Sequence, residues 1–157
     1  FIKPLIMKYL NSLKFYLFTL TVVLLISSCG EQEGDGDTVV PVDPLDTQGN
    51  LLNGSWIVKD ANSVTKDGAI VDVFTTMTLT ISGGTKSGGN YSTSGSDSNE
   101  IWANSGTWEF QNNDKNKILR SDGVSVSISL TETTLRTSFT TSGGLKDGNW
   151  VFDFIKQ

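Results

Sequence analysis

The chain has 157 residues, with 17 acidic and 12 basic side chains and a formal net charge of −5. It contains one cysteine and no histidine. This composition excludes an intramolecular disulfide, a Cys-rich zinc site and any Ser-His-Asp or Cys-His catalytic site. The acidic balance also has the wrong sign for neutralising phosphates, so we expect no nucleic-acid partner. We expect no metal ion, no cofactor and no enzymatic activity, although paired carboxylates remain chemically possible.

The first 28 residues are predicted to be a secretory signal peptide. Scattered lysines precede an uncharged apolar run from Phe15 to Ile26. That run is shorter than the roughly 20 residues that span a bilayer, and small residues follow it. The true start is expected at Met7. The alternative of a membrane-spanning anchor is less favoured, because no basic stop follows the run.

The end of this run carries a more specific pattern. The sequence Ile26-Ser27-Ser28-Cys29 resembles the bacterial lipobox, in which an aliphatic residue and two small residues precede a lipidated cysteine. The resemblance implies that Cys29 becomes the first residue of the mature protein and carries acyl chains. Two or more such chains give stable membrane attachment. The alternative is an ordinary signal peptide with an incidental cysteine.

Residues 29–50 are predicted to be the lipidated cysteine followed by a flexible tether. Acidic residues, glycine and proline dominate, and no basic residue occurs. Such a segment cannot form a core and repels itself. Asp35-Gly36-Asp37 is weakly similar to a calcium loop, but the remaining EF-hand ligands are absent, so a solvated linker is favoured. The acidic run is similar to an export signal of Bacteroidetes lipoproteins, which implies the outer membrane and exposure at the cell surface.

Residues 51–157 show the period-two alternation of half-buried strands. The clearest examples are Thr76–Ser82 and Val124–Leu130. Asp122-Gly123 predicts a tight type I′ hairpin turn, and no helix is predicted. Eight or nine strands are expected near residues 54–60, 69–74, 76–82, 89–94, 105–111, 116–121, 124–130, 134–140 and 149–155. Short sequential connections favour an all-β, antiparallel up-and-down barrel.

Four short motifs resemble lipocalin-like domains, in particular small lipocalin-like lipoproteins of Bacteroidetes. They are Leu52–Val58, Gly106–Phe110, Lys117–Arg120 and Gly148–Phe152. The resemblance implies a lipocalin-like barrel of about eight strands whose base is plugged by Trp56. A barrel of that size is either filled by side chains or holds one small ligand. The short strands favour a filled interior or a shallow pocket.

Most aromatic residues are predicted to form the core. By alternation these are Trp56, Trp108, Phe110, Phe139, Trp150, Phe152 and Phe154. Tyr91 and Trp102 flank a polar stretch, so they are candidates for contacting a ligand or partner, or for folding back over the barrel mouth. Arg136 is a candidate carboxylate clamp, with an exposed strand charge as the favoured alternative, and Arg120 is expected outside. The carboxylates Asp72, Glu109, Glu132 and Asp153 are expected outward or in turns, with no acid/base pair.

Two main functions follow as hypotheses for a monomeric, lipid-anchored envelope lipoprotein. In the first, the barrel binds a small apolar or amphipathic ligand. In the second, a filled barrel is a non-enzymatic structural or interaction module that recruits a protein or glycan partner at the cell surface. A carboxylate-dependent hydrolase is a third and weaker hypothesis. Interior cavity volume separates the first two.

Overall fold

The computed structural model describes residues 41–95, 101–144 and 146–157. The signal peptide, Cys29 and the first part of the tether lie outside these residues. The described residues belong to one unit, Pro41–Gln157. None of its helices is long and apolar enough to cross a membrane.

The described residues form one α-helix, two short 3-10 helices and ten strands. The helix α1 spans Pro44–Leu52, and the 3-10 helices span Asp72–Phe74 and Gln111–Asn113. The strands are β1 (Gly54–Val58), β2 (Val64–Lys66), β3 (Ala69–Ile70), β4 (Thr78–Thr85), β5 (Gly88–Ser94), β6 (Ser105–Phe110), β7 (Lys117–Arg120), β8 (Ser125–Leu130), β9 (Thr134–Thr141) and β10 (Gly148–Lys156).

The sheet is a closed antiparallel barrel, as the alternation predicts. Strands β4 to β10 follow one another in sequence order, and β1 joins β4 to β10. The closing register pairs Trp56 with Lys156 and Val58 with Phe154. Eight strands therefore close the barrel, and the all-β lipocalin-like, up-and-down prediction is confirmed. Closure leaves these eight strands without a free edge.

Strands β2 and β3 form a hairpin outside the closed barrel. Strand β2 pairs with the first half of β10, beside β1 on the same edge. Its two-residue turn is Asp67-Gly68, where both φ angles are positive (50° and 85°). Type I′ turns need positive φ at both positions, so this Asp-Gly pair has the φ signs of a type I′ turn.

The β7–β8 connection differs from the type I′ prediction. Its register pairs Leu119 with Ser125, and Arg120 N–H donates to Val124 O at 3.0 Å. Three residues therefore form the turn, and only Gly123 among them has a positive φ (86°). A three-residue hairpin with one left-handed glycine is the next most common solution after the two-residue turns.

The prediction that the tether extends to residue 50 without a helix is wrong for residues 44–50, which belong to α1. Asp43 caps the helix, since its Oδ1 accepts from Leu45 N–H at 2.9 Å, and Pro44 occupies the first turn. Leu52 is fully buried. Capping and burial of one leucine outweigh a polar, glycine-containing composition that carries no strong helical period.

The two ends of the barrel differ. At the closed end, where α1 lies, Trp56 is fully buried and its Nε1–H donates to Leu52 O at 2.8 Å. Lys156 Nζ lies 4.9 Å from the Trp56 ring centre and donates to Leu51 O. The opposite end, which we call the mouth, carries the β5–β6 loop and the β7–β8 turn.

Candidate functional site

Trp102 occupies the mouth. It is 2% exposed although it lies in the loop between β5 and β6. Its ring packs edge-on against Phe139 and Tyr91, with centroid distances of 5.4 and 5.9 Å. The loop returns to the sheet just after it, because Thr93 N–H donates to Asn104 O at 2.9 Å. Two alternatives were predicted for Trp102: contact with a partner, or folding back over the mouth of the barrel. The structure shows the second.

Tyr91 lies inside the barrel beside Trp102. It is 4% exposed and belongs to the core cluster. Burial raises the pKa of its phenol above the usual value of 10, and the positive charge of Arg120 offsets part of that rise. The two aromatic residues predicted to contact a ligand are therefore brought together, but neither is available at the surface.

The prediction that Arg120 lies outside is wrong. Its side chain is 1% exposed, and its guanidinium carbon lies 4.5 Å from the Trp102 ring centre and 5.5 Å from that of Phe139. The guanidinium donates to Ile101 O and forms an ion pair with Asp122, whose side chain is about one-third exposed. Alternation with buried Ile118, two residues earlier, was the sequence signal that placed Arg120 on the inner face.

Arg136 is an exposed strand charge on the outer face, which is the alternative that the sequence favoured. Its side chain is 59% exposed and pairs with Asp153 on the neighbouring strand at 3.3 Å. A pair this exposed adds little stability. The structure does not bring Arg136 together with Tyr91 or Trp102, which lie in the interior.

The predicted core aromatics are all confirmed as buried, and they fill the barrel. Each of the seven is at most 9% exposed. Phe152 stands at their centre and stacks on Phe154 and Phe139, and Phe74 from the first 3-10 helix packs edge-on against it. The internal space open to the centre of a water molecule is about 10 Å³. That is the room for about one water, against the 300–1,000 Å³ of ordinary ligand pockets.

A wide concave surface of the described residues lies on the outside of the barrel. This outer groove, of about 810 Å³, crosses strands β7 to β10 and continues to the β7–β8 turn. Its floor is a lateral row of residues in register: Ser127 of β8 faces Lys117 on one side and Ser138 on the other. Thr140 donates to Asn149 within the groove at 2.8 Å. Small hydroxyl and amide side chains therefore dominate its lining.

The carboxylates singled out from the sequence lie at or near the surface. Asp72, Glu109 and Glu132 are exposed and Asp153 is half-buried, as predicted. Within the described ranges, no three acidic or cysteine side chains are grouped to hold a metal ion. The comparisons with protein-family models, curated proteins and solved structures found no match for this chain.

Proposed function

We propose that this chain is a non-enzymatic interaction module, a lipid-anchored monomer whose partner binds the outside of the barrel. The observation that carries the proposal is the filled interior: side chains leave internal room for about one water. Of the two sequence-based hypotheses, binding of an apolar ligand inside the barrel needs a far larger space. Among the described residues, the wide concave areas lie on the outer surface.

The anchor in this proposal is Cys29. Its support is the aliphatic-small-small-cysteine pattern at the end of an apolar run. The described domain begins at Pro41, so the residues between Cys29 and Pro41 would form the tether. Placement at the outer membrane, facing the cell surface, rests on the acidic residues of that tether.

The chemistry of the outer groove favours an uncharged, hydrogen-bonding partner, for which a glycan is the best fit. Ser127, Ser138 and Thr140 offer short hydroxyls, while Lys117, Asp122 and the buried Arg120, which is paired with Asp122, add charge at its ends. Protein interfaces depend instead on exposed aromatic and arginine anchors. In the described residues, the exposed large apolar side chains are Val42, Ile70 and Val73, and none lines the groove.

The test is binding of neutral oligosaccharides to the full chain in detergent, measured on an array and then by calorimetry. Ser127→Trp would fill the groove and abolish binding. Ser92→Trp is the matched control, because Ser92 is also an exposed serine in a strand, on β5 and outside the groove. Absence of glycan binding, equal loss in both variants, or saturable binding of a protein in the groove instead would overturn the glycan assignment.

A further inference from the structure

Three polar side chains form a continuous hydrogen-bonded row beside the outer groove. Thr140 Oγ1–H donates to Asn149 Oδ1 at 2.8 Å, between directly paired positions of β9 and β10. Asn149 Nδ2–H in turn donates at 3.2 Å to Oδ1 of Asp67, in the β2–β3 turn. Thr140 and Asn149 line the groove, whereas Asp67 is not among its lining residues. The row therefore connects a residue outside the groove to two residues of its lining.

The main chain holds the Asp67 carboxylate in place. Its Oδ1 also accepts from Asn149 N–H at 2.8 Å, and Asp67 N–H donates to Asn149 O at 2.8 Å. Gly148 leaves the room that the carboxylate occupies, since a Cβ at that position would lie 2.6 Å from Asp67 Oδ2. The φ of Asp67 is 50°, which aspartate adopts more readily than most residues. The carboxylate is therefore fixed beside the amide of Asn149.

The chemistry of the carboxylate gives this row its direction. An ionised carboxylate can only accept hydrogen bonds, so Nδ2 of Asn149 must face Asp67. The opposite orientation would place an amide oxygen against a carboxylate oxygen. Oδ1 of Asn149 therefore faces Thr140, and because an amide oxygen can only accept, the single hydroxyl hydrogen of Thr140 is donated to it. Oγ1 retains its two lone pairs.

We propose that Asp67 is a positioning residue of the outer groove. Through Asn149 it makes Thr140 Oγ1 a hydrogen-bond acceptor, so the ligand group that meets Thr140 is a donor. This inference rests on the proposed function, and it narrows the glycan to one that places a free hydroxyl at this point. An ether or acetal oxygen has no hydrogen to donate and would leave Thr140 Oγ1 without a bond from the ligand.

The row is tested first without a ligand, on the full chain in detergent, by NMR measurement of the exchange of the Asn149 Nδ2 protons with water. Asp67→Gly removes the carboxylate and keeps a residue that adopts positive φ without strain. Asp67→Asn is the conservative control, because it keeps an oxygen that can accept from Asn149. We expect one Nδ2 proton to exchange about fivefold faster in Asp67→Gly than in wild type and Asp67→Asn. Equal exchange in all three overturns the proposal.

Calorimetry with a neutral oligosaccharide selected on the array then tests the effect on binding. Asp67→Gly and Thr140→Val should each weaken binding about fivefold, and Asp67→Asn should restore it. Once Thr140→Val is present, Asp67→Gly should have no further effect, because both changes remove the same interaction. Equal weakening by Asp67→Gly with and without Thr140→Val overturns the proposal, since a merely structural role gives that result. If no oligosaccharide binds wild type while the Asn149 protons respond as expected, the proposed function fails and the direction of the row stands.

Discussion

The guanidinium carbon of Arg120 lies 4.5 Å from the ring centre of Trp102, so a strand residue and a loop residue close the barrel mouth together. A second contact joins the same two segments, because the guanidinium also donates to the carbonyl of Ile101, the neighbour of Trp102. A buried cation over an indole contributes about 2 kcal/mol when water is excluded. The loop is thus fixed to the sheet by stacking and by hydrogen bonds.

Trp102→Ala is expected to destabilise the domain by about 3–5 kcal/mol, because it removes a buried aromatic side chain and leaves a cavity. Urea unfolding at neutral pH measures this. Val73→Ala, at an exposed apolar side chain near the same end, is the control and should change the free energy of unfolding by less than about 0.5 kcal/mol. Equal stability of the Trp102 variant and wild type would show that the indole does not seal the mouth.

Asp122→Ala is expected to destabilise the domain by about 1–3 kcal/mol. It leaves the buried Arg120 charge without its carboxylate, and the effect is reduced because Asp122 is about one-third exposed. Adding Arg120→Met should recover part of the loss, since a buried apolar side chain needs no counterion. Urea unfolding of the single and double variants measures this, and a double variant less stable than Asp122→Ala alone would contradict the account.

Gly84→Ala is expected to destabilise the domain by about 1–3 kcal/mol, because a Cβ there would lie 2.2 Å from Gly49 O of α1. The added methyl forces α1 away from β4. Gly144→Ala is the matched control, since a Cβ at that position meets nothing within 4 Å. Thermal unfolding of both variants decides the point. Similar melting temperatures for the two would mean that α1 does not pack closely on the barrel.

The raised pKa of Tyr91 predicts lower stability at alkaline pH. Above pH 10 the unfolded chain loses the phenolic proton while the folded chain keeps it, so the unfolded state binds fewer protons. The free energy of unfolding therefore falls as the pH rises above 10, with no contribution at pH 7. Tyr91→Phe removes this component. Comparing urea unfolding of wild type and variant at pH 8 and pH 11 checks it, and an unchanged difference contradicts it.

Cys29→Ala tests the anchor. The variant is expected to leave the membrane fraction and to retain the folded domain, because Cys29 lies outside the described unit Pro41–Gln157. Fractionation measures the first outcome and tryptophan fluorescence the second. A variant that stays in the membrane fraction would show that lipid on Cys29 is not the anchor.

The strands could be predicted because burial of one face makes apolar and polar residues alternate along each strand. Strand β2 could not be predicted in this way, because Val64–Lys66 is too short to show alternation. The period of two also holds for Arg120, whose burial on the inner face is made possible by its ion pair with Asp122 two residues later. Helix α1 has little periodicity of its own, and its stability depends on contacts with residues of β4 far along the chain.

The mouth was the least predictable part for a physical reason. Whether Trp102 faces solvent or the interior depends on loop closure and on the position of Arg120, and neither is a local property of the sequence. The distinction between a filled and an open barrel depends on the same side chain. Composition and alternation therefore predicted the barrel, but they did not decide whether its interior is filled by side chains or holds a cavity.

The central claim is that the interior is filled, and one titration tests it most directly. The full chain in detergent is titrated with a fluorescent fatty acid, with Trp102→Ala as a comparison whose interior has been enlarged. We expect wild type to show no saturable binding above the detergent background. Saturable binding to wild type at one molecule per chain, displaced by unlabelled fatty acid, would contradict the account.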